Sequence, residues 1–154
     1  MSETITLASG SAEETRRLGE RLGRLLRAGD VVLLSGELGA GKTVFVQGLA
    51  RGLGFDGSVS SKSFVLLGEY SGRVTLYHAD LYRLEAPDEV EELALDEVSA
   101  DGVLVVEWPE RAGNGMLPEE SLRIDFEVTG EETRAMRVGG RGERAIELMG
   151  RLKV

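Results

Sequence analysis

The sequence predicts an α/β fold with a mixed parallel and antiparallel sheet, and three stretches carry this prediction. Val31–Ser35 is a short apolar run, typical of a strand buried on both faces, and a glycine-rich loop and a helix over 44–53 follow it. Residues 63–70 and 73–78 predict two strands joined by a Ser-Gly turn, and so short a turn makes the strands antiparallel. The fully apolar run 103–106 predicts another buried strand.

The N-terminal part of the chain adds an edge strand and a helix. Residues 3–8 alternate weakly between apolar and polar side chains, which predicts the edge strand. Ser11 with Glu14 three residues later has the form of a capping box, so we expect a helix to begin there and to reach about residue 28. The helix places its leucines on one face and most of its arginines opposite, where interleaved glutamates favour a solvated surface over a nucleic-acid stripe.

The second half of the chain completes the sheet and adds two helices. Residues 87–95 predict a short acidic helix, and 122–128 and 134–138 predict two strands on either side of a glycine turn. Residues 143–152 predict a closing helix. No repeat, low-complexity tract or linker interrupts the 154 residues, so we expect a single domain over 1–154.

Composition narrows the classes of function. The chain has no cysteine, which excludes disulfides, thiolate metal sites and cysteine nucleophiles. Its net charge of −9 argues against stand-alone DNA or RNA binding, although action on a nucleic-acid pathway through a protein partner stays open. No apolar run approaches the roughly 20 residues of a membrane span, and no signal peptide is visible at the N-terminus. We therefore expect a cytoplasmic protein.

The loop at 36–43 reads GELGAGKT and fits the phosphate-binding pattern G-x-x-x-x-G-K-[ST] at every fixed position. Glycines let the backbone approach a phosphate, and the helix that follows directs its N–H groups and dipole at the anion. Lys42 is predicted to reach the β- and γ-phosphates, and the Thr43 hydroxyl to ligate Mg²⁺. The predicted nucleotide contacts of the loop and helix start are Glu37, Leu38, Gly39, Ala40, Gly41, Lys42, Thr43 and Val44.

Two carboxylates fall where phosphoryl transfer needs them. Glu107 directly follows the apolar run 103–106, and Asp80 follows the predicted strand 73–78, so both lie at carboxyl ends of strands, where ligands of α/β sheets collect. Glu107 is predicted to bind the metal or a water, with an ordinary surface acid as the alternative. The only histidine, His78, is more typical of a structural hydrogen-bonder than of a proton relay. Trp108 fits either core packing or stacking beside a nucleotide.

Other phosphate-loop chemistries lack their motifs. The single asparagine, Asn114, is followed by glycine, so the Asn-Lys-x-Asp sequence with which GTPases recognise guanine cannot be present. The arginines lie mostly in the first helix and the C-terminal third, without the arginine-rich lid of small kinases. Hydrolysis therefore fits better than transfer to a small acceptor, although a small-molecule kinase and a nucleotide-gated binding module remain alternatives.

Taken together, these segments resemble the bacterial TsaE (YjeE) family. GELGAGKT, the serine loop before Phe64, HADLYRL at 78–84 and EWPE at 107–110 occur in the family's order and spacing. The resemblance covers about 11–110 closely. It implies a P-loop NTPase-like three-layer sandwich with a mixed sheet. It also implies a Mg²⁺-dependent ATP hydrolase, weakly active alone, that serves threonylcarbamoyl-adenosine modification of tRNA by cycling a complex of TsaB and TsaD. Contact with tRNA would be indirect, through that complex.

The resemblance also assigns roles by position. It implies that ATP and Mg²⁺ are the ligands, that Glu107 is the second metal ligand beside Thr43, and that Asp80 positions the metal shell or the attacking water. Ser11 would lie near the adenine, and Arg134 near the nucleotide. The loop 60–64 would act as a switch near the γ-phosphate. Within it, Lys62 replaces the family's usual proline, which removes a fixed φ and adds a charge.

Overall fold

The computed structural model describes residues 4–37, 39–57, 59, 67–82, 95–112 and 117–153. Its strands are β1 (Ile5–Ser9), β2 (Val31–Ser35), β3 (Leu67–Tyr70), β4 (Thr75–Asp80), β5 (Gly102–Glu107), β6 (Ser121–Val128) and β7 (Arg134–Arg141). Its α-helices are α1 (Ala12–Leu25), α2 (Lys42–Gly52), α3 (Leu95–Val98) and α4 (Glu143–Leu152), with 3₁₀ turns at Ser99–Asp101 and Pro109–Arg111.

The strands form one seven-stranded mixed sheet in the order β1-β7-β6-β2-β5-β4-β3. The inner strands β6, β2, β5 and β4 are parallel to one another. Antiparallel pairs close both edges, β3 against β4 on one side and β1–β7–β6 on the other. The predicted α/β fold with a mixed sheet is therefore confirmed, including the antiparallel hairpin.

Strand β2 lies at the centre of the sheet and is buried on both faces. Val32 and Leu34 belong to the larger core cluster, which contains the buried side chains of α1, α2 and α4. Val31 and Leu33 belong to a second cluster on the opposite face, where Leu81 and the first residue of α3 are also buried. Apolar layers thus cover both faces of the central strand, and its bounds agree with the prediction.

Several predicted boundaries differ from those observed. Helix α1 ends at Leu25, earlier than expected, because Leu26 is already extended (ψ 149°) and the Asp30 carboxylate accepts a hydrogen bond from the Arg27 N–H (2.8 Å). Strand β4 begins two residues late, since the Arg73 N–H donates to the Leu53 carbonyl (2.8 Å) rather than to the sheet. Strands β4 and β5 also extend further than predicted, so that Asp80 and Glu107 are the last residues of these strands and do not follow them.

Some predictions fall on residues outside those described. The described part of the predicted strand 63–70 is β3, and the predicted acidic helix over 87–95 overlaps the described residues only at the start of α3. The closing helix α4 has the predicted bounds. An ion pair between Arg144 and Asp30 (2.9 Å) attaches α4 to the residue that precedes β2. Within the described ranges, no helix has the length and apolar character needed to cross a membrane.

Helices α1 and α2 pack backbone to backbone through glycines. A Cβ atom at Gly19 or Gly23 of α1 would lie 2.2 Å from a carbonyl oxygen of α2. On the facing side, a Cβ at Gly48 would lie 2.0 Å from the Arg16 carbonyl oxygen, and one at Gly52 would lie 2.3 Å from that of Glu20. Both helices carry the small-xxx-small spacing that allows such close approach. This contact fixes the start of α1 beside the glycine-rich loop that precedes α2.

Candidate nucleotide-binding site

The loop between β2 and α2 has a backbone that glycine favours. Gly36, Gly39 and Gly41 have φ values of +141°, +80° and +101°. A Cβ at Gly36 would lie 2.8 Å from the Phe126 carbonyl oxygen, whereas one at Gly39 would have nothing within 4 Å. The loop therefore packs against β6 at its first glycine and borders open space further along, as a phosphate cradle requires. Leu38 lies outside the described residues.

The N-terminus of α2 fits an anion. The helix begins at Lys42, its N-cap residue is Gly41, no side chain caps it, and its first turn holds no acidic residue. The N–H groups at the start of an α-helix lack intrahelical partners, and the helix dipole is positive there. Thr43 and Val44, the next two residues, are half-buried. The positive end of α2 is thus not neutralised by a capping side chain.

Lys42 is a buried cation directed into this site. Only 4% of the residue is exposed, its Nζ donates a hydrogen bond to the Gly36 carbonyl, and the same Nζ lies 3.7 Å from the centroid of the Trp108 ring. Burial lowers the pKa of Lys42, and the negative charges of Glu107, Glu110 and Asp80 oppose that shift. Among the described residues no carboxylate lies within 4.0 Å of its ammonium. A phosphate would supply the missing counter-charge.

The two strand-end carboxylates are neighbours in the sheet. Asp80 and Glu107 are register partners on the parallel strands β4 and β5, and Leu34 at the end of β2 is the other neighbour of Glu107. Glu107 Oε2 is hydrogen-bonded to His78 Nε2 at 2.6 Å, and both residues are buried. Asp80 Oδ1 accepts a hydrogen bond from the Tyr82 N–H (3.0 Å). Both carboxylates therefore lie at the carboxyl ends of the parallel strands, the same end of the sheet at which the glycine-rich loop leaves β2.

Trp108 covers Lys42 in an unusual backbone conformation. With φ 60° and ψ 49° it is left-handed, the sole non-glycine residue of that kind in the described ranges. Such a conformation costs roughly 1–2 kcal/mol. The Trp108 N–H donates to the Leu34 carbonyl at 3.2 Å, which ties this strained turn to the end of β2. Strain of this kind is concentrated at functional sites, and here it places the indole against the loop lysine.

Two side chains that the sequence analysis did not single out extend this aromatic wall. The Tyr82 and Trp108 rings lie 5.0 Å apart, and the Arg111 guanidinium lies 5.5 Å from the first ring and 5.9 Å from the second. The sequence does contain a signal for Tyr82, because Tyr82 and Trp108 each follow a strand-end acid by one or two residues and so belong at the same end of the sheet. Arg111 adds a second cation beside the Trp108 ring, which the Lys42 ammonium also contacts.

Arg134 reaches the loop, whereas Ser11 does so only through its helix. Arg134 Nη2 donates to the Gly39 carbonyl (3.2 Å), and its Nη1 donates to the Thr133 carbonyl (2.8 Å). Ser11 is the N-cap of α1 and accepts a hydrogen bond from the Glu14 N–H (3.1 Å). One turn further on, the Thr15 methyl carbon lies 3.7 Å from where a Gly41 Cβ would be. Thr15, which sequence reasoning missed, is thus the residue of α1 that faces the loop.

The remaining predicted positions are less informative. Glu37 is exposed, and its carbonyl accepts a hydrogen bond from the N–H of the buried Ala40 (3.1 Å). The predicted switch loop 60–64, with Lys62, lies outside the described residues. The described ranges hold no cluster of three His, Asp or Glu side chains able to bind a metal by themselves. The neighbouring strand-end carboxylates Asp80 and Glu107 fit Mg²⁺, which proteins usually hold through one or two carboxylates together with substrate phosphates and water.

Comparison with known proteins identifies one family. Residues 9–136 match the family model described as threonylcarbamoyl adenosine biosynthesis protein TsaE. A tRNA threonylcarbamoyladenosine biosynthesis protein TsaE from Treponema pallidum is 45% identical over 131 residues, covering 84% of this chain and 96% of that protein. The protein of the same name from Bacillus subtilis is 40% identical over 144 residues, covering 90% of this chain and 89% of the relative.

The fold agrees with this assignment. The crystal structure of YdiB from Bacillus subtilis matches with a TM-score of 0.80 and 31% identity, covering 99% of this chain and 96% of that one. The match at the level of both sequence and fold extends well beyond the glycine-rich loop, which many unrelated proteins share. With the loop, the strand-end acids and the sheet order all in place, the chain belongs to the TsaE family of threonylcarbamoyl adenosine biosynthesis proteins.

Proposed function

We propose that this protein is a Mg²⁺-dependent ATPase that serves threonylcarbamoyl-adenosine modification of tRNA by cycling a TsaB–TsaD complex through ATP binding and hydrolysis. The pathway follows from family membership. The observation that best supports ATPase activity is that a buried lysine, an uncapped helix N-terminus and two strand-end carboxylates lie together at one glycine-rich loop. Each of these groups complements a polyphosphate or its metal ion.

The residues divide into phosphate-binding and metal-directed groups. Lys42 would leave the Gly36 carbonyl and bind the β- and γ-phosphates, while the N–H groups of the loop and of the first turn of α2 surround them. Thr43 and Glu107 would hold Mg²⁺, which when bound neutralises phosphate charge. Asp80, with one oxygen fixed by the Tyr82 N–H, would use its other oxygen to orient the attacking water.

The isolated chain is expected to hydrolyse ATP slowly. Asp80 and Glu107 supply negative charge, and the described cations closest to the glycine-rich loop and Trp108 include Lys42, Arg111 and Arg134. Arg134 already donates to the carbonyls of Gly39, Gly130 and Thr133. Supplying a missing cation or ordering a loop in trans is worth about 10³–10⁵ in rate in well-studied nucleotide switches. A partner complex would therefore raise turnover.

The partner-dependent cycle is tested by measuring ATP turnover of the chain alone and with TsaB and TsaD. We expect the turnover rate to rise at least tenfold when TsaB and TsaD are both present. We also expect the amount of this chain that stays bound to TsaB and TsaD to differ between a non-hydrolysable ATP analogue, ADP and no nucleotide. TsaB or TsaD added singly is the control. Equal turnover and equal retention under all conditions would contradict the cycling role.

Glu107→Gln separates hydrolysis from mere occupancy. The amide keeps the volume of the side chain and its bond to His78 but weakens metal binding, so we expect turnover to fall by about 100-fold or more. Binding of the ATP analogue and assembly with the partners should persist. Glu110→Gln is the matched control, because Glu110 is an exposed acid whose charge also acts on Lys42, and its turnover should stay within about twofold.

The same variant decides between the proposal and a nucleotide-gated binding module. If Glu107→Gln binds and assembles normally but supports no repeated tRNA modification, ATP hydrolysis is required for the cycle. If repeated modification continues at the wild-type rate without hydrolysis, ATP occupancy alone is the signal, and the hydrolytic part of the proposal is wrong.

A further inference from the structure

We propose that His78 is a positioning residue for Glu107, holding Oε2 so that Oε1 is the oxygen presented to Mg²⁺ and its water. This inference rests on the proposed function, because it takes Glu107 as the metal-directed carboxylate. It gives the single histidine of the chain a role that sequence reasoning assigned only in general terms, as a structural hydrogen-bonder.

The bond between the two side chains is short and protected from solvent. His78 Nε2 and Glu107 Oε2 are 2.6 Å apart, and the side chains are only 6% and 4% exposed. An ionised carboxylate can only accept, so Nε2 carries the donated proton. Hydrogen bonds to a charged acceptor are shorter and stronger than neutral ones, and burial removes the competing water. The Glu107 carboxylate is therefore fixed in rotation about its terminal bond.

The hydrogen bond to His78 occupies Oε2 of the Glu107 carboxylate and does not involve Oε1. Among the described residues, Glu107 Oε1 makes no hydrogen bond. A carboxylate with one oxygen fixed by a histidine presents a single defined oxygen, which suits monodentate or water-mediated contact with Mg²⁺. Metal ligands in proteins are commonly held by such a partner, and the usual arrangement has the donor on a rigid element.

His78 also keeps Glu107 away from Lys42. Burial lowers the pKa of Lys42, and Glu107 is the carboxylate that opposes this shift most, yet the two groups do not form an ion pair within 4.0 Å. Two opposite charges in a poorly solvated site attract strongly, so a freely rotating carboxylate would tend to pair with the ammonium. Such a pair would neutralise the lysine that phosphate needs. The hydrogen bond to His78 opposes this collapse.

The sheet supplies the required geometry. His78 and Asp80 lie two residues apart on β4, so their side chains leave the same face of the sheet. Register pairs Asp80 with Glu107, which places His78 one diagonal step from Glu107. One rigid strand thus carries both the acid that would orient water and the donor that fixes the metal-directed acid.

The test compares His78→Leu with His78→Gln, using isothermal calorimetry of a non-hydrolysable ATP analogue at increasing Mg²⁺. Leucine removes the donor, and we expect the Mg²⁺ concentration for half-maximal binding to rise by about 10- to 100-fold. Glutamine can place an amide N–H near the Nε2 position, so its midpoint should return to within about threefold of wild type. Analogue affinity in EDTA should stay within about twofold of wild type for glutamine but should fall for leucine, because a released Glu107 carboxylate would pair with the Lys42 ammonium.

Each outcome has a distinct meaning. If wild-type binding does not depend on Mg²⁺, the proposed metal role of Glu107 fails. If wild type depends on Mg²⁺ but His78→Leu has the same midpoint, His78 is only structural, and the ATPase proposal stands without it. Thermal unfolding without nucleotide identifies any variant that does not fold. Should leucine not fold, His78→Asn replaces it, since its shorter amide cannot reach Oε2 and should shift the midpoint by at least about tenfold.

Discussion

Gly48→Ala is expected to destabilise the protein by about 3 kcal/mol, the upper end of the typical range for overpacked cores. The new Cβ would lie 2.0 Å from the Arg16 carbonyl oxygen and 2.8 Å from its carbonyl carbon. Those atoms are helix backbone, so they cannot turn aside as the end of a side chain can. Helices α1 and α2 would have to separate, which opens the interface between Leu22, Phe45 and Leu49. Denaturant unfolding followed by circular dichroism measures this change.

Gly150→Ala is the matched control for that substitution. Gly150 also lies inside a helix, α4, but nothing is found within 4 Å of the position that its Cβ would occupy. Alanine is favoured over glycine in a helix by about 0.8–1 kcal/mol, so this variant should equal or exceed wild type in stability. If Gly48→Ala were as stable as Gly150→Ala, the close backbone contact between α1 and α2 would be wrong.

The interface at Gly48 also bears on the site. Helix α2 presents its N-terminus to the phosphate cradle, and α1 places Thr15 beside Gly41. The added methyl group would push the two helices apart and so move Thr15 of α1 relative to the N-terminus of α2. We therefore expect Gly48→Ala protein that remains folded to bind the ATP analogue more weakly than Gly150→Ala protein does, by calorimetry under identical conditions.

The local sequence pattern was sufficient to predict the bounds of β2 and α4 and the chemistry of the glycine-rich loop. Val31–Ser35 is apolar at every position before its final serine, and α4 carries regular helical spacing, so both were predicted with their observed bounds. The glycine-rich loop has fixed chemistry at fixed spacing. In each case, the information lies within about ten consecutive residues.

What sequence could not supply depends on contacts between distant segments. The glycines of α1 and α2 read as weak helix formers until the two helices are seen to touch. The start of β4 is set by the hydrogen bond from the Arg73 N–H to the Leu53 carbonyl, which lies in a different segment of the chain. Trp108 was undecided because a left-handed backbone at a tryptophan has no sequence signature. The pairing of His78 with Glu107 requires the register of two strands.

Lys42→Met should abolish tight nucleotide binding without weakening the nucleotide-free fold. Truncating one partner of a buried charge pair costs about 2–5 kcal/mol, so we expect the affinity for an ATP analogue with Mg²⁺ to fall by roughly 30- to 5,000-fold. Methionine keeps a linear stem of similar length and places its sulfur near the Trp108 ring, a favourable contact that substitutes for the present cation–π interaction.

The stability side of this prediction comes from the burial of the ammonium. With the residue 4% exposed and its pKa lowered by desolvation, the charged head is in an unfavourable environment when no phosphate is bound. Its removal relieves that penalty, while the Gly36 carbonyl loses a donor worth about 1 kcal/mol. Because these two contributions oppose each other, the free energy of unfolding of the nucleotide-free variant should stay within about 1 kcal/mol of the wild-type value.

Calorimetry gives the affinity of Lys42→Met and thermal unfolding gives its stability, with Lys153→Met as the control for loss of one positive charge. Lys153 is exposed at the end of α4, so that variant should bind the analogue as wild type does. Wild-type affinity in Lys42→Met would show that the loop does not grip phosphate through this lysine. A large loss of stability without nucleotide would instead show that Lys42 is chiefly a structural cation, held for its contacts with Gly36 and Trp108.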